Sequence, residues 1–352
     1  MKIGIVGCGH IGTVHAYALK QLSDAGLVDA RVAAAHDVDE ARSARLTKNL
    51  GGVACASLDE LLDCVDVVWI CTWTAGHLEA VQAVAARGLP IFCEKPLAPN
   101  LAACEAVSAA LDQVPHQVGL VLRYAPVFAN AVELVGSGKY GRHLTTILRD
   151  DQYFPIQGMY GSTWRKDREL AGGGTLIEHS IHDVDLLRWI LGDPRSVGAT
   201  TASAFGYEGI EDLASVVLRY SSGATAQLVS VWHQVMSRGS SRRLEIFCED
   251  AYLWTDDDYL GPLHVETGGG EELLQGSVPE WAAALRVPEV YEKDVAHYAS
   301  QAKHFLDALT ASGSEARGFP GAADALAAHR IVDAAYRSAA AGSAPVPLPP
   351  SS

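Results

Sequence analysis

Residues Lys2–Gly12, KIGIVGCGHIG, decide the fold. Lys2 to Val6 is a short apolar run of strand character. It leads straight into Gly7, Gly9 and Gly12, spaced as in a dinucleotide-binding turn. Behind them Ile11, Val14, Ala18, Leu19 and Leu22 recur at helical spacing. The glycines therefore lie between a strand and a helix, the context in which this motif carries meaning. Gly7 permits the tight turn, Gly9 lets the backbone approach a pyrophosphate, and Gly12 lets helix and strand pack closely. The pyrophosphate would rest on unpaired N–H groups at the helix start, where the dipole favours negative charge.

The next strand, RVAAAHD, ends at Asp37, 25 residues after Gly12. A carboxylate there can accept hydrogen bonds from the adenosine ribose hydroxyls. It would repel an added 2′-phosphate, so NAD is expected over NADP. The alternative is that Asp37, with Asp39 and Glu40, only opens the following helix with capping charge.

The chain has 352 residues, more than one core usually serves, so two domains are expected. A 49% hydrophobic and 20% charged composition fits a globular enzyme rather than a disordered chain. The net charge of −15, with no basic cluster, argues against nucleic acid or an anionic membrane as partner. No apolar run approaches the length of a membrane span. A strand is read at the very N-terminus, so no signal peptide is expected. The seven cysteines are scattered and form no C-x-x-C. They read as reduced cytoplasmic thiols rather than a disulfide frame or zinc site. Cys8 is expected to pack, not to react.

Beyond Asp37, strands and helices alternate. ARSARLTKNLG reads as helix, VACA as strand, LDELLDC as helix, and VDVVWIC (65–71) as a strand buried on both faces. HLEAVQAVAARG is a helix. LPIFCEKPL is a strand ending at Glu94-Lys95-Pro96, LAACEAVSAALDQV a helix, and HQVGLVLRY a strand. The alternation predicts a parallel, doubly wound sheet, with ligands at the carboxyl ends of its strands. Gly7, Asp37, Trp73 and Lys95 should line that edge.

The pattern then changes. FANAVELVGSGKYG is a helix and turn, TILRDDQYF a strand, and a loop through Trp164 and Arg165 leads to Gly172-Gly173-Gly174. Leu176 to Leu191 reads as one helix, ended by Gly192 and Pro194. SVVLRY, ATAQLVSVW, RRLEIFC and AYLWT read as strands with hairpin character, hence a mostly antiparallel sheet. GGGEELLQGSVPEW reads as a loop, and helices are expected near 290–309 and 322–339. The tail APVPLPPSS is expected to be disordered or laid on the surface. The expected division is a nucleotide-binding domain at 1–122, a second α/β domain at 123–340, and a tail at 341–352.

Glu178, His182 and Asp185 fall at i, i+4 and i+7, on one face of the predicted helix. An imidazole takes a proton near neutral pH, and a carboxylate one turn away can orient it. The plainer alternative is a solvated ion pair. His179, His182 and Asp183 with Glu178 raise the question of a metal. H-E-x-x-H is absent and no second cluster supplies ligands, so none is expected. No G-x-S-x-G elbow supports a serine hydrolase. Lys95 follows a buried strand and precedes a proline that stiffens its backbone. Its ammonium could polarise a substrate hydroxyl, or it could be a surface lysine.

The GCGHIG turn, the EKP at 94–96 and GGGTLIEHSIHDVDLLRWILG at 172–192 together resemble the Gfo/Idh/MocA oxidoreductase family, in order and spacing, over nearly the whole chain. The resemblance implies a Rossmann domain followed by an α/β domain with a large, mostly antiparallel open sheet that joins copies into dimers or tetramers. It implies hydride transfer between NAD(H) and a secondary carbinol of a sugar, cyclitol or related polyol. Lys95 matches the family's active-site lysine and His182 its catalytic histidine. Glu178 stands where aspartate is usual, Asp185 matches an acidic position, and Arg123 resembles a substrate-side arginine. The cofactor contacts expected are Gly7, Gly9, His10, Ile11, Gly12, Asp37, Thr72, Trp73, His77, Glu94 and Lys95. Those expected for substrate are Lys95, Arg123, Tyr124, Trp164, Arg165, Glu178, His179 and His182. Three positions depart from the pattern: Glu178 is one methylene longer, Trp73 replaces a common proline, and Ser180 a frequent glycine. Relatives that cleave glycosides through transient oxidation and elimination give an alternative activity. A non-enzymatic dinucleotide sensor is a third reading, against which the retention of Lys95 and His182 argues.

Overall fold

The computed structural model describes residues 1–311 and 319–349. The chain forms two compact units. One comprises Met1–Ala98, Ala102–Val121 and Val278–Leu326; the other comprises Pro99–Leu101, Leu122–Ser277 and Ala327–Ser352.

In the first unit, β1 (Lys2–Val6), β2 (Arg31–His36), β3 (Val53–Ala54), β4 (Val67–Ile70), β5 (Ile91–Cys93) and β6 (His116–Val118) form one sheet in the order β3-β2-β1-β4-β5-β6. Every pair is parallel. The connecting helices are α1 (His10–Asp24), α2 (Glu40–Leu50), α3 (Leu58–Leu62), α4 (His77–Ala86) and α5 (Leu101–Leu111). Residues Val67 to Ile70 are all fully buried, as their continuous apolar run predicts. Val68 and Ile70 join Leu61, Val81, Val84 and Val107 in one core layer. On the opposite face Trp69 stacks on Phe92, centroids 5.3 Å apart, and Phe305 meets both rings.

Phe305 belongs to the long helix Glu289–Thr310, which therefore packs with the first unit. A single cut at 122/123 does not describe this chain, because the later segment returns to complete the earlier core. The sheet also ends sooner than HQVGLVLRY suggests. After β6 the amide of Gly119 bonds to Cys93 O, and Val121–Tyr124 forms a 3-10 turn.

The second unit contains α6 (Pro126–Gly136), β7 (His143–Tyr153), α7 (Arg168–Ala171), α8 (Thr175–Glu178) and α9 (Ile181–Leu191). Then come β8 (Ser196–Ala202), β9 (Leu213–Arg219), β10 (Thr225–His233), β11 (Ser241–Cys248), β12 (Ala251–Thr255), β13 (Leu263–Thr267) and β14 (Gly270–Leu274). With β15 (Val346–Pro347) they form a nine-stranded sheet in the order β14-β13-β12-β11-β7-β10-β9-β8-β15. Only β7 and β10 run parallel; the other neighbours are antiparallel. Buried and half-exposed residues alternate along β10 and β11, so one face packs on the core and the other is open.

One expectation is corrected here, and one of two alternatives is decided. The stretch read as a loop after residue 267 contains β14, a hairpin partner of β13. The tail adds β15 to the edge of β8, where Val346 pairs with Val197; residues 350–352 lie outside the described residues.

Candidate active site

Gly7, Asp37, Thr72 and Glu94 follow β1, β2, β4 and β5, four adjacent strands of the parallel sheet. They therefore share its carboxyl edge, at the point where strand order reverses. Each glycine of the turn has its own reason. Gly7 has φ +89°, and a Cβ at Gly12 would lie 2.0 Å from Gly7 O. Over Gly9 the space is open, the nearest atom being Arg42 Nη1 at 4.0 Å from where a Cβ would stand. Gly9 caps α1 without a side chain. The first amides of α1 thus face an open approach, the arrangement that receives a phosphate. A dinucleotide fits this turn.

Asp37 does more than its sequence position suggested. Its carboxylate accepts from the amides of Cys8 at 2.6 Å and Asp39 at 2.9 Å. It ties the glycine turn to the end of β2. Cys8 is fully buried, and burial, reinforced by Asp37, pushes its thiol up to about 12, so it stays protonated as a packing residue. His10 is exposed and Ile11 half-buried, both at the start of α1.

Thr72 and Trp73 are half-buried after β4, and Thr72 Oγ1 donates to Trp73 O. His77 is nearly fully buried, with Nδ1 2.9 Å from Pro96 O. Burial holds its imidazole below the usual range, so it acts as a neutral clamp on the Glu94–Pro96 loop. Glu94 is buried and pairs with His15 Nε2 at 2.7 Å. Burial alone would raise its carboxyl, but the hydrogen bond and charge of His15, with Lys95, hold it below the ordinary value. Its other oxygen accepts from the Lys95 amide at 3.1 Å. Lys95 is half-buried. Sequence reasoning missed His15. A lone histidine on the apolar face of α1 was the available signal.

In the second unit the glycines at 172–174 are enforced by close packing. A Cβ at Gly174 would meet Glu211 O at 1.8 Å, and one at Gly172 would meet Pro99 O at 2.1 Å. The buried Glu211 carboxylate accepts from the amides of Gly174 at 2.8 Å and Leu176 at 3.0 Å. It thereby satisfies amides at the start of α8 that have no partner within the helix.

The helix read from Leu176 to Leu191 is two helices. The Ser180 amide bonds to Thr175 O, a π-type i→i−5 step, and α9 starts at Ile181. The Ser180 hydroxyl is drawn onto Asp150 Oδ2 at 2.8 Å and Ser230 Oγ at 2.6 Å. Glu178 thus ends α8, and His182 lies in the first turn of α9. Both are nearly buried.

Asp185, three residues after His182 on α9, is held by an arginine. Arg123 grips it by two bonds, Nε to Oδ2 at 2.8 Å and Nη2 to Oδ1 at 2.7 Å. These bonds tie Arg123 to α9. Arg165 is the arginine beside the candidate catalytic carboxylate: its Nε donates to Glu178 Oε2 at 3.1 Å, and its guanidinium lies 4.5 Å from the Trp164 ring. Tyr124 is half-buried at the end of its 3-10 turn.

His179 takes part in a buried network that sequence reasoning missed. Arg242 Nη2 lies 3.3 Å from His179 Nε2, and His179 Nδ1 lies 3.2 Å from Asp150 Oδ2. Because guanidinium only donates, Nε2 is the acceptor and the ring proton sits on Nδ1, an assignment made from these partners. A period-2 signal was present: Arg242 shares a strand face with Leu244 and Ile246, and Asp150 with Thr146 and Leu148. Among the described residues, no group of three or more histidine, cysteine, aspartate or glutamate side chains is arranged to hold a metal ion.

A parallel sheet in this order, with a glycine turn at its reversal point and an acidic residue after β2, defines the first unit as a Rossmann domain for a dinucleotide. Comparison with known proteins agrees. Residues 1–120 match a model described as an oxidoreductase family with an NAD-binding Rossmann fold, and residues 128–254 match the GFO/IDH/MocA C-terminal domain. A myo-inositol 2-dehydrogenase of Thermotoga maritima is 32% identical over 73% of this chain and 75% of its own length. An inositol 2-dehydrogenase of Rhizobium meliloti is 28% identical over 97% of each chain. The crystal structure of GenD2 from gentamicin A biosynthesis, in complex with NAD, has a TM-score of 0.80 at 25% identity, covering 99% of this chain and 96% of that one. The chain belongs to the GFO/IDH/MocA oxidoreductase family.

Proposed function

We propose that this protein transfers a hydride between NAD(H) and a secondary carbinol of a sugar, cyclitol or related polyol. The observation that carries the reading is the placement of His182 and Glu178, both nearly buried, on either side of a break between α8 and α9. The two named inositol 2-dehydrogenases support the substrate class. GenD2, solved with NAD, supports the cofactor.

In this reading the first amides of α1 hold the pyrophosphate and Asp37 receives the adenosine ribose. When bound, the nicotinamide supplies the hydride acceptor or donor. His182 takes the hydroxyl proton as the carbinol is oxidised, and Lys95 steadies the oxygen as negative charge develops on it. Glu178, ion-paired to Arg165, presents a carboxylate to a neighbouring hydroxyl. Arg165 and Trp164 offer hydrogen-bond donors and an apolar face to the sugar ring.

Asp37 favours NAD over NADP by repelling a 2′-phosphate. The open face of the second sheet pairs copies of the chain; Ile147 and Leu213 on it are 36% and 40% exposed. The seven cysteines, all unpaired, fit a reducing compartment. Among the described residues, no helix is long and apolar enough to cross a membrane.

The test is a panel of cyclitols, hexoses and glycosides with NAD and NADP in parallel, read by nicotinamide absorbance. Accumulation of NADH on a cyclitol or sugar supports the reading. Glycoside cleavage with no net change in free NADH favours the redox-assisted lyase instead. Failure to bind either dinucleotide refutes both.

A further inference from the structure

A buried carboxyl pair stands next to His182 and has no place in the chemistry above. Asp150 of β7 and Asp183 of α9 are both fully buried. Arg242 of β11 spans them: its Nε donates to Asp183 Oδ1 at 2.8 Å, and its Nη2 lies 3.6 Å from Asp150 Oδ2. One oxygen of each carboxyl thus faces the guanidinium. Asp150 Oδ2 also accepts from Ser180 Oγ at 2.8 Å, and His179 Nδ1 lies 3.2 Å from it.

The other two oxygens differ. Asp150 Oδ1 and Asp183 Oδ2 are buried with no hydrogen-bond donor among the described residues. The two carboxyls face neighbouring N–H groups, Nε and Nη2, of one guanidinium edge and so lie beside each other. A buried carboxylate oxygen with no donor is strongly disfavoured. Two such oxygens, one on each of two adjacent carboxyls, are satisfied together by a single proton.

From this geometry we infer that Asp150 and Asp183 share one buried proton, and that this acid–carboxylate dyad positions the first turn of α9 and, through it, His182. Both are positioning residues; neither is assigned a contact with substrate.

The charges agree. With one proton the dyad carries a single negative charge against Arg242. Asp258, 3.2 Å from Arg242 Nη1 and 41% exposed, is the solvated outer member of the cluster. Without that proton, two adjacent carboxylates would face one guanidinium inside the fold. Burial, opposed by Arg242 and reinforced by Asp150, pushes the Asp183 carboxyl up to about 7. The groups that face the dyad are Arg242, His179 and Asp258, with Tyr160 near Asp150 and the Ser180 and Ser230 hydroxyls alongside. Tyr160 is raised by burial and stays protonated.

The shared proton stands apart from the proposed function; the positioning of His182 rests on it. Isotope-edited infrared spectroscopy with carboxyl-labelled aspartate, from about pH 5 to about pH 9, reads the proton directly. The wild type should show a buried protonated-carboxyl band that is lost with an apparent midpoint near pH 7. Asp150→Asn and Asp183→Asn should each lack it. In Asp183→Asn the amide N–H replaces the shared proton at every pH. Wild-type kcat should then fall about 3- to 10-fold as the dyad ionises, a fall missing from Asp183→Asn, with KM little changed. Absence of the band at every pH in the wild type overturns the dyad, whether or not the variants fold. A band present, with the same high-pH fall in Asp183→Asn, overturns the positioning role. A band present in a protein that oxidises no polyol counts against the proposed function and leaves the dyad standing.

Discussion

Asp185→Asn decides whether Arg123 braces α9 or reads substrate. The structure gives the pair two charge-assisted bonds of 2.8 and 2.7 Å. The two side chains are 16% and 2% exposed, Arg123 and Asp185 in that order. The asparagine keeps the shape but removes the counter-charge and one acceptor. Removing one partner of a buried pair costs about 3–5 kcal/mol. Arg123 is partly solvated and lies 5.9 Å from the Trp189 ring centroid, so about 2–3 kcal/mol is expected here. In a unit of this size that lowers Tm by about 4–12 °C. Arg123→Met should lose at least as much, because it strands a carboxylate that is more deeply buried. The double variant Arg123→Met/Asp185→Leu should recover about half of the loss or more. Thermal unfolding followed by circular dichroism, with steady-state kinetics on the same samples, checks this. A Tm within about 1 °C of wild type for Asp185→Asn, together with a raised KM in Arg123→Met, would refute the bracing role.

Three further outcomes follow from the same geometry. Asp37→Ser should raise the kcat/KM ratio for NADP over NAD by about 10- to 100-fold, since a carboxylate no longer opposes the 2′-phosphate and Arg42 is nearby; an unchanged ratio would show that Asp37 serves only the turn. Gly12→Ala places a methyl 2.0 Å from Gly7 O, so NAD binding by calorimetry should weaken by about 100-fold or more; normal affinity would contradict the role of the turn. For Glu94, whose carboxyl is held below its ordinary value, stability is present above the unfolded carboxyl range and lost as pH falls through the folded value. Unfolding of the wild type should therefore become easier in acid, and Glu94→Gln should flatten that limb while lowering stability near neutral pH.

Much of the first unit was legible because its signals are local. The glycine turn is a contiguous motif, and a strand buried on both faces needs a continuous apolar run, as Val67–Ile70 has. The helix Glu289–Thr310 was legible as a helix but not by location. Its place depends on Phe305 meeting Trp69 and Phe92, a match of shapes far apart in sequence. The break between α8 and α9 was hidden for a similar reason. The apolar spacing from Leu176 to Leu191 is helical throughout. The kink is instead set by Asp150 and Ser230, which lie 30 and 50 residues from Ser180.

The candidate site divides the same way. Gly7, Asp37, Lys95, Glu178 and His182 were named from motifs. Asp183 was named only in the question of a metal, and Asp150 and Arg242 were passed over, although Arg242 occupies an inward register position beside the apolar Leu244 and Ile246. A charged residue in such a position needs a charged partner inside the fold, and each of these supplies the other. Arg123, expected by likeness to be a substrate ligand, also makes two bonds to Asp185.

The central claim is that Lys95 and His182 act on a carbinol presented to bound NAD. The most direct measurement is steady-state NAD reduction by His182→Ala and Lys95→Ala on the best polyol of the panel, with NAD affinity measured on the same samples. The account predicts that kcat falls about 100- to 10,000-fold in His182→Ala and steeply in Lys95→Ala, while NAD affinity stays near that of the wild type. Full turnover in both variants would contradict it.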